Sequence, residues 1–278
     1  MMDAKPFLKW AGGKSQLLTQ LESLFPKGFD GYHEPFVGSA AVYFHLHNLR
    51  ASGKLDGSMA SVRLSDSNNE LINCYVVIRD QINELIEFLF EHKRRHSKQY
   101  YYKIRKQHPQ SHVERAARLI YLNKTCFNGL YRVNSQDEFN VPMGNYKNPA
   151  IVDSKTLVKA HITLQNVHLA TAKYEAVLQC AKARDFVYFD PPYHPVSATS
   201  SFTSYTREDF GEDQQRKLSE VVRELSRRGC MVMVSNSDTP LIWGLYNGFR
   251  RTHVKASRLI NSNSEQRGKI RELVITNY

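Results

Sequence analysis

The sequence has 278 residues, enough for a sizeable core and one or two domains. Thirty-eight lysines and arginines against 27 aspartates and glutamates leave a formal charge of +11, with a pI near 9.4 and a mean hydropathy of −0.49. These values exclude collagen-like, disordered and membrane-spanning classes, since no apolar run approaches the ~18 residues a bilayer crossing needs. The excess positive charge points to a polyanionic partner. Residues 1–9 hold no apolar stretch ending in a cleavage site, so no secretory leader is expected. Cys74, Cys126, Cys180 and Cys230 form no Cys-x-x-Cys pair, which excludes a zinc ribbon and fits free thiols in a reducing cytosol.

The first block along the chain is Phe7-Leu8-Lys9-Trp10-Ala11-Gly12-Gly13-Lys14-Ser15. It mimics the end of a P-loop, but that pattern needs a glycine five positions before Gly13, and Leu8 stands there. A Walker nucleotidase is therefore excluded. Lys9 and Lys14 beside two glycines suit an anionic ligand or a cofactor carboxylate, and Trp10 offers an aromatic face; a buried tryptophan at a domain start is the plainer reading. A short strand then leads to Glu34-Pro35-Phe36-Val37-Gly38-Ser39-Ala40. Gly38 has no side chain, so backbone can approach a ligand closely at this Phe-x-Gly turn. Such a turn accommodates an adenosyl cofactor at a sheet edge; alone it reads equally as an ordinary strand-to-helix turn. Residues 49–59, rich in Gly, Ser and Lys, read as a surface loop. Residues 60–66 read as a strand ending in Asp66, an acid that either accepts ribose hydroxyls or caps the next helix.

Apolar residues at Ile78, Ile82, Leu85, Ile86 and Leu89 predict helix within 71–95. The following stretch, 92–108, interleaves seven lysines and arginines with Tyr100, Tyr101 and Tyr102. His92 and His96 have helical spacing, but Lys93, Arg94 and Arg95 between them repel a metal, and a basic face toward phosphates fits better. Residues 115–122 read as helix, and 125–149 as loop with one hairpin. Within that loop lies Phe127-Asn128-Gly129-Leu130-Tyr131-Arg132. Arg132 suits bidentate contact with guanine, while Phe127 and Leu130 suit wedging into a base stack. An ordinary Asn-Gly turn with apolar flanks would look the same.

Residues 185–190 form an apolar strand running into Asp190-Pro191-Pro192-Tyr193. Residues 213–228 predict an amphipathic helix with Gly229 just past its end. Residues 230–234 read as a strand buried on both faces, and 273–278 as the last strand. Strands alternating with helices around a helical, basic middle predict an α/β fold: a doubly wound sheet with an inserted, mostly helical domain. The tetrapeptide at 190–193 carries the most chemistry. Ligands of open α/β sheets bind beyond the carboxyl ends of strands. Two prolines remove backbone donors and stiffen the chain but keep their carbonyls. A carboxylate, a rigid carbonyl and an aromatic ring together suit gripping an exocyclic amino group on a planar base. Two acceptors on its N–H groups favour a pyramidal nitrogen with a free lone pair, ready for in-line transfer of a sulfonium methyl. Alone, the same residues describe a strand end followed by a Pro-Pro turn.

In order, these blocks resemble the Dam-type DNA adenine-N6 methyltransferases, across residues 7–15, 34–44, 66–75, 115–149, 185–206, 234–236 and 268–278. The resemblance implies a Rossmann-like methyltransferase sheet and transfer of a methyl group from S-adenosylmethionine to a flipped adenine, usually in GATC, leaving S-adenosylhomocysteine. It implies a catalytic, cofactor-binding part at 1–75 and 150–278 and an inserted target-recognition domain at 76–149. Asp190, Pro191, Pro192 and Tyr193 would be catalytic. Trp10, Lys14, Phe36, Gly38, Asp66 and Asp190 would hold the cofactor, with no metal. Lys9, Phe127, Asn128, Leu130, Arg132, Pro142, Tyr146 and Ser197 would touch double-stranded DNA, and 198–205 would lie beside the flipped base. The expected protein is a cytoplasmic monomer with no membrane contact. Two positions depart from the pattern: Ala40 stands where many members carry glycine, and Asn145 where several carry arginine. Other amino targets (cytosine N4, RNA adenine, a protein amide) and a DNA-binding module with a decayed site are the alternative readings.

Overall fold

The computed structural model of the protein describes residues 3–195, 210–257 and 269–278. Seven strands build one sheet: β1 (Gly31–Glu34), β2 (Ser61–Asp66), β3 (Val167–Thr171), β4 (Phe186–Phe189), β5 (Met231–Ser237), β6 (Arg250–Ser257) and β7 (Lys269–Thr276). Their order is β3-β2-β1-β4-β5-β7-β6, parallel except for β7, which lies antiparallel between β5 and β6. The chain winds outward from β1 to β3, then returns to place β4 beside β1. Order therefore reverses between β1 and β4, and the carboxyl ends of these two strands frame the crevice where open α/β sheets bind ligands.

Both faces of the sheet are covered. In β4, Phe186 and Tyr188 join one apolar cluster with Tyr32, Phe29 and Leu64, while Val187 and Phe189 join another with Leu218, Val222 and Ile242. That split is the period-two alternation of a strand, made invisible as polarity because both sides are buried. Among the described residues the helices are α1 (Leu18–Glu22), α2 (Ala41–Ala51), α3 (Asn69–Asp80), α4 (Ile82–Arg95), α5 (Lys98–Arg105), α6 (His112–Thr125), α7 (Ser154–Leu164), α8 (Glu212–Arg227) and α9 (Pro240–Leu245). Asn68 caps α3 by accepting from the Leu71 N–H at 3.0 Å, and Asp153 caps α7 through Thr156 N–H at 3.1 Å. Gly229, at φ +82°, ends α8 where the sequence places it.

The helical periodicity over 71–95 spans two helices. Gln81 leaves the helical region (φ −136°, ψ 39°) and separates α3 from α4. Ile78 and Ile82 keep their spacing across the break, so the pattern conceals it. The inner faces of α4 and α6 extend the main apolar cluster through Leu85, Leu89, Ala116 and Ile120. A smaller cluster, including Tyr101, Tyr121, Cys126, Phe139 and Val141, supports residues 126–151. There the hairpin is an open one, held by two isolated antiparallel bridges, Cys126 to Met143 and Val133 to Phe139. His92 and His96 turn to tyrosines rather than to phosphate: Nδ1 of His92 lies 2.9 Å from the Tyr100 hydroxyl, and Nδ1 of His96 lies 3.0 Å from that of Tyr121. Burial lowers His92 to about 4, so it is neutral at physiological pH. All four cysteines are free thiols.

Candidate active site

Asp190 follows β4 directly and stands at the reversal of strand order. Its side chain is 18% exposed, and Oδ1 accepts from Lys14 Nζ at 2.7 Å. The lysine is 5% exposed; it also donates to the Gly12 carbonyl at 2.7 Å and stands 4.9 Å from the centre of the Tyr193 ring. Burial pushes Asp190 up to about 6, against the pull of the Lys14 charge. The two residues come together although 176 positions separate them, because the loop before α1 folds over the β1–β4 crevice.

The rest of the tetrapeptide is held by a polar network. Asn236, on β5, donates to Gln215 Oε1 at 2.9 Å, and Gln215, on α8, donates to the Pro192 carbonyl at 2.9 Å. Asn236 Oδ1 faces the His194 N–H at 3.3 Å, and the Ser237 hydroxyl donates to the His194 carbonyl at 2.6 Å. The Pro192 carbonyl is thus occupied. The Pro191 carbonyl receives no hydrogen bond from the described residues, which leaves it as the acceptor beside Asp190. The Tyr193 hydroxyl donates to Glu272 Oε2, on β7, at 2.6 Å. Gln215, Asn236 and Glu272 were not singled out by sequence. A buried glutamine on the apolar face of α8, in line with Leu218, Ser219 and Val222, was the available signal for the network.

Glu34, at the end of β1, is a further buried carboxyl beside this group. Burial raises it to about 8; the Tyr32 hydroxyl, donating at 2.8 Å, opposes that shift, and the Asp190 charge adds to it. It is protonated at neutral pH, whereas unfolding returns it to about 4.5. Between those values unfolding therefore releases a proton, and rising pH weakens the folded state. Glu34→Gln should abolish that dependence: its thermal midpoint should exceed the parent's at pH 8 and approach it near pH 4.5. A difference between the two proteins that stays constant with pH would mean Glu34 is ionised in the fold.

Trp10, Gly38 and Asp66 meet beside this centre. Asp66 accepts from the Gly38 N–H at 3.2 Å and from the Asn68 N–H at 3.0 Å, tying the turn after β1 to the end of β2. The helix cap itself is Asn68, so Asp66 is not the cap. Gly38 has φ +45°, and a Cβ there would lie 3.1 Å from Trp10. Ala40 takes the left-handed conformation (φ 54°, ψ 30°), so the turn survives without a second glycine, at a backbone cost of roughly 1–2 kcal/mol. Phe36 stacks on Tyr174 (5.4 Å, 22°) and packs edge-on to Phe210. This aromatic group lines a cleft of about 860 Å³ that runs past Ser67, Asn68 and Glu70 to Arg118 and Tyr131. Lys14, Asp66 and Asp190 lie outside the cleft walls.

The other predicted contacts form a separate surface. Lys9, Phe127, Asn128, Arg132 and Pro142 are exposed; Leu130 and Tyr146 are half-buried. Phe127 is 51% exposed, and Asn128 occupies the left-handed region (φ 55°), where asparagine is tolerated. Phe127 N–H donates to the Pro142 carbonyl at 2.9 Å, and Lys9 Nζ lies 5.3 Å from the Tyr146 ring centre. Leu130 packs partly into the cluster under the hairpin, which leaves Phe127 the more exposed of the two. Arg132 Nε donates to Asn140 Oδ1 at 2.7 Å. Ser197 and residues 198–205 lie outside the described residues. Among the described residues no three His, Cys, Asp or Glu side chains converge to hold a metal, and no helix is long and apolar enough to cross a membrane.

Residues 10–260 match the family described as D12 class N6 adenine-specific DNA methyltransferase. The chain is 44% identical to Type II methyltransferase M.MjaIII of Methanocaldococcus jannaschii, over the full length of both. It is 41% identical to Type II methyltransferase M1.LlaDCHI of Lactococcus lactis subsp. cremoris, covering all of this chain and 96% of the relative. With the DNA adenine methylase of Escherichia coli (strain K12), it shares 34% identity over 99% of this chain and 95% of that one.

Proposed function

The chain belongs to the D12 class of N6 adenine-specific DNA methyltransferases, and on that premise we propose that it acts on an adenine flipped out of GATC, through Asp190 and the Pro191 carbonyl. The enzyme transfers a methyl group from S-adenosylmethionine to N6 of adenine in DNA. The observation that carries the residue assignment is the partly open Asp190 carboxylate at the reversal of strand order, next to a proline carbonyl that receives no hydrogen bond from the described residues.

The residues fit the cofactor. The cleft beside Phe36 and Tyr174 offers aromatic faces for an adenine, Asp66 offers a carboxylate for ribose hydroxyls, and Lys14 offers a cation for the amino-acid carboxylate. Gly38 and Trp10 complete the turn between them. When bound, the cofactor supplies a methyl group on an electrophilic sulfonium. The protein's own part is positional and electrostatic. Asp190 and the Pro191 carbonyl accept the two N–H groups of the amino nitrogen and localise its lone pair. As that nitrogen gains positive charge, the Asp190 carboxylate stabilises it and is placed to take the proton it loses. Tyr193 supplies a stacking face that offsets part of the few kcal/mol that flipping costs.

Residues 76–149 serve as the recognition module, and the enzyme works as a cytoplasmic monomer. Methylation of a plasmid, followed by digestion with nucleases that differ in tolerance for methylated GATC, tests the target. Protection only from the methyl-sensitive nuclease is expected; cleavage by both would overturn GATC as the site.

The Tyr193–Glu272 contact makes a separate prediction. Glu272→Ala removes the acceptor that fixes the tyrosine ring, and a hydrogen bond to a charged group contributes about 1.5 kcal/mol, so kcat/KM should fall roughly tenfold. Glu272→Gln keeps an acceptor and should stay within about threefold of the parent. Equal losses in both variants would show that charge, not ring placement, is what Glu272 contributes.

A further inference from the structure

Asn123, near the end of α6, is 1% exposed and uses its whole amide. Its Nδ2 donates to the Lys9 carbonyl at 2.7 Å and to the Gly129 carbonyl at 2.9 Å, and its Oδ1 accepts from the Lys9 N–H at 3.0 Å. One side chain therefore ties the loop that carries Lys9, Trp10 and Lys14 to the turn that carries Phe127, Asn128 and Arg132. Two ring contacts run alongside: Trp10 stacks on Tyr131 (5.1 Å, 26°), and Lys9 Nζ stands over the Tyr146 ring. Gly129, at φ +66°, presses so closely on Lys9 that a Cβ there would meet the lysine side chain at 2.7 Å.

The loop continues from Lys9 into Lys14, whose ammonium pairs with Asp190. The Asn123 amide and the two ring contacts beside it join the turn to this loop, and among the described residues no backbone ladder does so. Asparagine suits the place: it offers two donors and one acceptor in one plane, and leucine of similar size offers none. Loss of the amide would leave the Lys9 and Gly129 backbone groups without their partner in a buried site.

We infer that Asn123 is a positioning residue that sets the register between the base-reading turn and the loop holding Lys14 against Asp190, so that sequence discrimination depends on it. This rests on the functional reading above. The test measures kcat/KM on a GATC duplex and on three duplexes altered at one base, with cofactor affinity measured separately by calorimetry without DNA. In Asn123→Ala the preference for GATC should fall at least tenfold while cofactor affinity stays within twofold. Because Asn123 bonds the Lys9 backbone, which Lys9→Ala keeps, the loss of preference from Asn123→Ala should also appear on top of Lys9→Ala. If Asn123→Ala does not fold, Asn123→Ser, which adds no charge and keeps one hydroxyl in place of the amide, carries the same comparison. An unchanged preference, with kcat/KM lowered equally on every duplex, would overturn this inference alone. A parent enzyme indifferent to all four duplexes would overturn both it and the GATC reading.

Discussion

Asp190→Ala should lower kcat by roughly a thousandfold, the scale lost when a preorganised group aimed at developing transition-state charge is removed, while affinity for duplex DNA stays within about threefold. The split follows from position. Asp190 lies at the β1–β4 crevice, whereas the exposed Lys9, Phe127 and Arg132 sit on the surface proposed to recognise DNA. The substitution also leaves Lys14 buried without its ion partner, and breaking a buried pair costs about 3–5 kcal/mol. Thermal unfolding must therefore accompany the kinetics, and Lys14→Met with Asp190→Ala should recover stability without recovering turnover. The parent should show an acidic limb: the carboxylate is the active form and titrates near 6, so activity rises with pH through that value and levels off above about pH 7. Near-normal turnover in Asp190→Ala would refute the assigned role.

Much of the sheet was legible because its strands are short apolar runs bounded by acids and turns. Asp66 and Asp190 each close a strand, and both ends fall where the pattern stops. The antiparallel insertion of β7 between β5 and β6 was not legible, since register depends on pairing across distant segments and leaves no local mark. Nor was the break at Gln81, where tertiary packing tolerates a kink between two turns of unbroken spacing.

The site shows the same division. Asp190 to Tyr193 announced themselves as an unusual order of residue types at a strand end. Lys14 was legible as a cation near glycines, but its pairing with Asp190 was not, because the two lie on different elements. Glu34 hid inside a motif whose glycine and phenylalanine drew the argument, and its raised pKa comes from depth, which sequence does not display. Gln215, Asn236 and Glu272 act only through what they touch. Composition pointed to a polyanionic partner and the resemblance to candidate contacts; the fold adds which of those side chains are exposed.

Arg132→Ala should cost the enzyme roughly 1–3 kcal/mol of discrimination at one base pair, about tenfold to somewhat over a hundredfold, and little on the remaining positions. The guanidinium is exposed, and Asn140 holds it through Nε, which fixes the plane of the fork. Its two terminal nitrogens meet no partner among the described residues, so both are free to bond the O6 and N7 acceptors of a guanine. Arg132→Lys separates geometry from charge. Lysine keeps the positive charge and the general attraction to phosphate but has no planar fork. It should therefore bind DNA nearly as well as the parent and discriminate nearly as poorly as the alanine variant. Asn140→Ala should give an intermediate loss, because the arginine remains but its plane is no longer held. Full discrimination at every base in Arg132→Ala would assign guanine reading to another side chain of the same surface. A uniform loss of affinity on all duplexes, with a reduced salt slope, would instead make Arg132 a phosphate contact.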